Sequence, residues 1–125
     1  MKKVIASPLA PKAVGPYSQA IEHDSKTLYI SGQLPIDGAT GKMAEGIEAQ
    51  TRRSLDNLGH NLSEAGYGFG DIAKTTVLLA HISDFAAMNA VYAEYFPGDK
   101  PARICFEVAA LPMGALVEID AVAVK

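Results

Sequence analysis

Tryptophan is missing from this chain and cysteine occurs once, at position 105. One cysteine builds neither a disulfide framework nor a zinc site, so a reducing, cytoplasmic setting is expected. The histidines, His23, His60 and His81, lack metal-ligand spacing. No stretch approaches the roughly 20 apolar residues of a membrane helix. The start, Met1 to Ala6, has two lysines but no long apolar run before Pro8, so no secretory leader is expected. Positive charge is sparse: 11 Lys and Arg stand against 14 Asp and Glu, a net charge of −3. The adjacent Arg52 and Arg53 make no basic stripe, so nucleic acid is not an expected partner. Charged residues are 20% of the chain, below the usual ~25%. A small domain short of charge suggests that part of its surface meets another subunit.

The 125 residues suit one domain, residues 1–125, since domains commonly hold roughly 100–150 residues. Prolines at 8, 11 and 16 keep the early chain extended or looped. Tyr17 to Glu22 and Thr27 to Ser31 read as strands joined by a short turn. Pro35, Gly38, Gly41 and Gly46 mark a loop. Ile47, Thr51, Leu55, Leu58, Leu62 and Ala65 then fall on one helical face, and Gly66 is placed to end that helix. Asp71 to Ala80 is a nearly continuous apolar run, which predicts a strand covered on both faces. Ser83 or Asp84 caps a second helix, with Phe85, Met88, Tyr92 and Tyr95 on one face. Arg103–Val108 and Ala115–Val124 both alternate, and Leu111-Pro112-Met113-Gly114 turns between them. The order is β-β-α-β-α-β-β. Two amphipathic helices on one face of a mixed sheet make an α+β two-layer sandwich. The other sheet face then needs a cover, and a partner subunit is the obvious one.

The final hairpin concentrates the chemistry. If Ala110 pairs with Ala115, then Arg103, Cys105, Glu107, Glu118 and Asp120 share one face. Glu118 would lie opposite Glu107, roughly 13–14 Å along the strand from Arg103. Arg103 and Glu118 of one chain then do not touch, and a site using both draws them from two subunits. Solvated or mutually paired charges are the plain alternative. Cys105 argues against it, because cysteine is usually buried, and a buried arginine needs a partner such as an anion. A second constellation lies near the start. Gly15-Pro16 aims Tyr17, either as a packed side chain or as a lid over a pocket. Gly32, after Ser31, either ends a strand or exposes backbone groups. Asn89 sits inside the second helix, as a solvated or a pocket residue. Gly66-Tyr67-Gly68-Phe69-Gly70 leads from helix to strand, the reverse of a dinucleotide loop.

Together, Gly15-Pro16-Tyr17-Ser18-Gln19-Ala20, Ile30-Ser31-Gly32-Gln33, Glu48-Ala49-Gln50-Thr51-Arg52, Asn89-Ala90-Val91-Tyr92, Pro101-Ala102-Arg103 and Leu111-Pro112-Met113-Gly114-Ala115-Leu116-Val117-Glu118-Ile119 resemble the RidA, or YjgF, family. The resemblance runs along essentially the whole chain. It implies a chorismate-mutase-like fold and a homotrimer with a central β-barrel and intersubunit clefts. It implies hydrolysis of enamine and imine intermediates, 2-iminopropanoate and 2-iminobutanoate, to a 2-oxo acid and ammonia. By resemblance Arg103 binds the substrate carboxylate, the Cys105 backbone N–H adds a hydrogen bond and Glu118 activates water. Tyr17, Asn89, Ser31 and Gly32 line the pocket. No metal or organic cofactor is implied. The rival readings are a non-catalytic 2-oxo acid-binding regulator or chaperone and, against the acidic charge, an endoribonuclease or translation inhibitor.

Overall fold

Alternating burial along the strands and a 3.6-residue period in two longer segments divide the chain into a sheet and two helices. The computed structural model describes residues 2–24 and 26–125. Six strands form one sheet: β1 (Lys2–Ile5), β2 (Ala20–His23), β3 (Thr27–Gln33), β4 (Ile72–Leu79), β5 (Ala102–Glu107) and β6 (Val117–Val124). Their spatial order is β1-β2-β3-β6-β4-β5. All neighbours are antiparallel except β4 and β5, which run parallel. Helices α1 (Ile47–Ala65) and α2 (Phe85–Tyr95) pack side by side, and α1 lies over β3 and β6. This is the expected α+β architecture with one addition, the N-terminal strand β1.

The core fills the gap between the helices and the sheet. Leu55, Leu58 and Leu62 of α1 and Met88 of α2 meet Leu28, Val77, Leu79, Val117 and Ile119 from the strands, all buried. Gly66 ends α1 in the left-handed conformation, φ 81°, as its position predicts. Asp84 occupies the cap position of α2 but makes no side-chain capping bond there. On that helix Met88 and Tyr92 are buried while Phe85 is exposed.

Three sequence expectations change. Residues 17–22 are not all strand: pairing begins at Ala20, and Tyr17 sits in the looped approach. β4 is not covered on both faces in this chain; Thr75, Val77 and Leu79 are buried, while Thr76 and Leu78 are only half-buried. The largest change concerns the final hairpin, which does not form. β6 inserts between β3 and β4, and β5 pairs with β4 as a parallel edge strand. The apolar content of β6 explains this. Val117, Ile119, Ala121 and Ala123 are all buried, which only a central strand under helix α1 achieves. An alternating pattern specifies which residues share a face but not which strand lies alongside.

The sheet face away from the helices stays open. Tyr29, Ile104, Phe106 and Val124 are exposed, and register places them on that face beside Leu78 and Val122. Among the described residues, no helix is long and apolar enough to cross a membrane.

Candidate functional site

Arg103 is the second residue of the edge strand β5. It registers with Thr75 of β4, whose side chain is buried on the helix side. Its guanidinium therefore rises toward α2. There Nη1 donates to Asn89 Oδ1 at 2.8 Å. The cation stands 4.8 Å from the Tyr92 ring centroid and 5.5 Å from that of Phe85. Phe85, Asn89 and Tyr92 are spaced four and three residues apart, so one face of α2 supplies all three contacts. Tyr92 is itself held by a 2.8 Å hydrogen bond between its hydroxyl and that of Thr75. Among the described residues no carboxylate pairs with Arg103. A half-buried cation stacked on rings, with its planar fork unpaired by acid, suits a carboxylate ligand.

Cys105 lies two residues on, on the same face. Burial pushes its thiol pKa up, and the Arg103 charge opposes this only in part. The thiol therefore stays protonated at neutral pH and is a poor nucleophile. Its backbone is better placed. The Val108 N–H donates to Leu79 O on β4. Alternation along the strand then turns the Cys105 N–H outward, to the free edge of β5.

Glu118 occupies the opposite sheet face. It registers with Leu78, and Leu78 with Phe106, on the side away from the helices. Two strand spacings and three residues separate it from Arg103, about 14 Å. Arg103 and Cys105 therefore do not share a face with Glu118 and Asp120, contrary to the hairpin expectation. The expectation that Arg103 and Glu118 of one chain do not meet holds, for a different reason.

The Glu118 carboxylate lies against Gly32. A Cβ at Gly32 would stand 2.0 Å from Glu118 Oε2, so any side chain there displaces the carboxylate. Burial pushes the Glu118 pKa up, and the Asp120 charge adds to it. Asp120 is fixed by accepting the Thr76 N–H at 2.9 Å. A carboxylate shifted toward neutrality is better matched to base catalysis.

The remaining expected residues gather near Gly32. Ser31 Oγ donates to Ser18 O at 2.6 Å, and its N–H donates to Gln19 O at 2.9 Å. Ser31 thus ties the N-terminal segment to β3. Tyr17 is half exposed, and its hydroxyl accepts the Val14 N–H at 3.4 Å. Tyr17 and Gly32 line a cleft of about 360 Å³ whose walls include Val14, Leu34, Ile36 and Met113. Asn89, Arg103 and Cys105 stand apart from it. One chain therefore carries two half-sites: Arg103, Asn89 and Cys105 at one edge of the sheet, and Glu118, Gly32, Ser31 and Tyr17 around β3 and β6.

Sequence reasoning missed the supports. Phe85 and Tyr92 read as core, yet both rings lie against the arginine. On α1, Gln50, Ser54, Asn57 and Asn61 are all buried. Gln50 accepts the Leu116 N–H at 2.8 Å and donates to Ala44 O at 3.0 Å. Asn57 donates to both Leu34 O and Ile36 O, at 3.0 and 2.8 Å. The cleft wall is thereby fastened to the helix. Their 4, 3, 4 spacing was the available signal of a buried polar stripe, in which Gln50 and Asn57 serve irregular backbone nearby while Asn61 donates within the helix to Asn57 O.

Fold and half-sites define a class: single-sheet α+β proteins with an acid-free arginine on one sheet face and a glycine-seated carboxylate on the other. Comparison places the chain within that class. The endoribonuclease L-PSP family matches residues 7–125; the chain belongs to this family, also called YjgF or RidA. A curated relative, the 2-iminobutanoate/2-iminopropanoate deaminase of Mus musculus, is 47% identical over 126 residues, which span 100% of this chain and 93% of that protein. Among solved structures, the YjgF gene product of E. coli is 41% identical with a TM-score of 0.95, covering 98% of each chain. E. coli TdcF with bound serine is 37% identical, also at 0.95 and covering 98% of each chain.

Proposed function

We propose that the chain is a hydrolytic deaminase. It converts small 2-imino acids, such as 2-iminopropanoate and 2-iminobutanoate formed from their enamines, to 2-oxo acids and ammonia. The observation that carries this reading is Arg103, stacked on Tyr92 and Phe85, bonded to Asn89 and unpaired by acid. Full-length relatives at 44–47% identity that bear the deaminase name support it.

In this reading Arg103 clamps the substrate carboxylate with two parallel N–H bonds, and the Cys105 N–H adds a third. Glu118 takes a proton from water as its oxygen attacks the imine carbon. Glu118 returns that proton to the imine nitrogen, giving a carbinolamine; it then takes the hydroxyl proton and passes it to the nitrogen, which weakens the C–N bond. That bond then breaks, ammonia leaves and the carbonyl forms. Imines hydrolyse unaided in water, so positioning and one base suffice.

Within one chain the two groups lie on opposite sheet faces, so the working site joins Arg103 of one subunit to Glu118 of the next. The exposed apolar residues Tyr29, Ile104, Phe106 and Val124 support a second copy on the open face. A cyclic homotrimer in the cytoplasm, with a barrel of packed sheets, is the proposed assembly. The same separation favours one rival, a 2-oxo acid-binding regulator that needs only the arginine half. The net charge of −3 disfavours an RNA substrate.

The test generates 2-aminoacrylate or 2-aminocrotonate with a dehydratase and follows 2-oxo acid release. Wild type accelerates release, and Arg103→Ala, Arg103→Lys and Glu118→Gln each lower the rate at least about 100-fold. Arg103-dependent binding of 2-oxobutyrate without any acceleration would establish the regulator instead.

A further inference from the structure

Met113 is one of two non-glycine residues with positive φ among those described, at φ 58° and ψ 21°. The other is Asp24, in a tight turn where aspartate is at home. Methionine has no such excuse, since a Cβ clashes in the left-handed region. The Leu111–Gly114 turn holds Met113 there with its side chain 70% exposed. Burial therefore does not explain the strain. A residue kept strained and exposed beside a pocket is a candidate for function.

The side chain forms part of the cleft wall, with Val14, Tyr17, Leu34 and Ile36. Gly32 lines the same cleft, and the Glu118 carboxylate rests against Gly32. Glu118 does not itself line the cleft; Gly32 stands between them, so a substrate attacked beside Glu118 reaches the largely apolar cleft past Gly32. About 360 Å³ falls within the range of pockets for whole small ligands, roughly 300–1,000 Å³. A methyl or ethyl group fills little of it.

We infer that Met113 is a specificity-determining residue. It closes an apolar subsite for the substrate side chain and favours 2-imino acids with branched aliphatic or thioether chains over those with methyl or ethyl. The inference rests on the deaminase reading for its chemistry, but side-chain recognition is measurable without turnover.

The experiment uses the full chain in its native assembly. An amino-acid oxidase supplies imines from alanine, 2-aminobutyrate, leucine and methionine, and kcat/KM is taken for each. Calorimetry gives Kd for 2-oxobutyrate and 4-methyl-2-oxopentanoate in parallel. The expected ratio of long-chain to short-chain kcat/KM exceeds one in wild type. It falls about tenfold in Met113→Asn, since a methylene-scale change in an apolar pocket is worth about 10-fold or more, and is kept in Met113→Leu. Asparagine tolerates the left-handed turn, so the loss is not misfolding. Val14→Ser, at another residue lining the cleft, lowers the ratio in the same direction. A ratio that Met113→Asn leaves unchanged, in kinetics and in Kd, overturns the inference, while Arg103-dependent turnover would keep the deaminase reading intact. A shifted Kd ratio with no acceleration of any imine would retain the subsite and remove the deaminase. Neither binding nor turnover of any of these acids overturns both.

Discussion

In the proposed reaction Glu118 trades stability for chemistry. Its carboxylate lies against Gly32 and feels the Asp120 charge. Burial first, and Asp120 second, raise its pKa above the usual 4.5. The folded state therefore binds this proton more tightly than the unfolded chain. As pH rises from the ordinary carboxylate value through the folded pKa, the proton leaves and stability falls. At neutral pH the ionised group is a net cost. Glu118→Gln is expected to raise Tm at neutral pH while abolishing turnover, with the Tm gap narrowing on acidification to about pH 4. Thermal scans across that range, read beside activity, check it. A variant less stable than wild type at neutral pH would mean that Glu118 has a stabilising partner.

Among the elements, the helices do more than cover the sheet. α2 presents Phe85, Asn89 and Tyr92 to one guanidinium. α1 presents a buried polar stripe to the loop that walls the cleft. Asn57 is fully buried, and its amide feeds both Leu34 O and Ile36 O. Asn57→Ala removes both bonds; Leu34 O keeps the Ile36 N–H at 2.8 Å, while Ile36 O loses its side-chain donor. A loss of about 1–2 kcal/mol is expected for the one carbonyl left without a donor, measured as a lower urea midpoint at constant slope. A loss under about 0.5 kcal/mol would show that water serves that carbonyl equally well.

For the whole molecule, the decisive feature is that a sheet has two sides. Arg103 rises from one side and Glu118 from the other, so the proposed site closes only across a subunit boundary. Mixing inactive Arg103→Ala with inactive Glu118→Ala chains, with subunit exchange, should restore activity. Half the arginine positions and half the glutamate positions are then intact, so about a quarter of sites in a cyclic assembly are complete. Recovery of about a quarter of wild-type activity is expected. No recovery, with exchange confirmed by mass spectrometry, would place both residues in one subunit's site.

Composition, periodicity and turn residues determined much by themselves. The two helices, the left-handed stop at Gly66, the paired start of the sheet and its single covered face all follow from local pattern. The candidate site residues were legible chiefly through the family resemblance, since Tyr17, Ser31 and Asn89 each have an ordinary local reading. The tertiary structure decided what local pattern leaves open. β6 left β5 for the centre of the sheet because its buried face needed helix α1 above it. That placement put Arg103 and Glu118 on opposite faces and carried Phe85 and Tyr92 to the arginine. Alternation is a two-residue property of one strand, whereas the choice of neighbour is made by burial over the whole sheet.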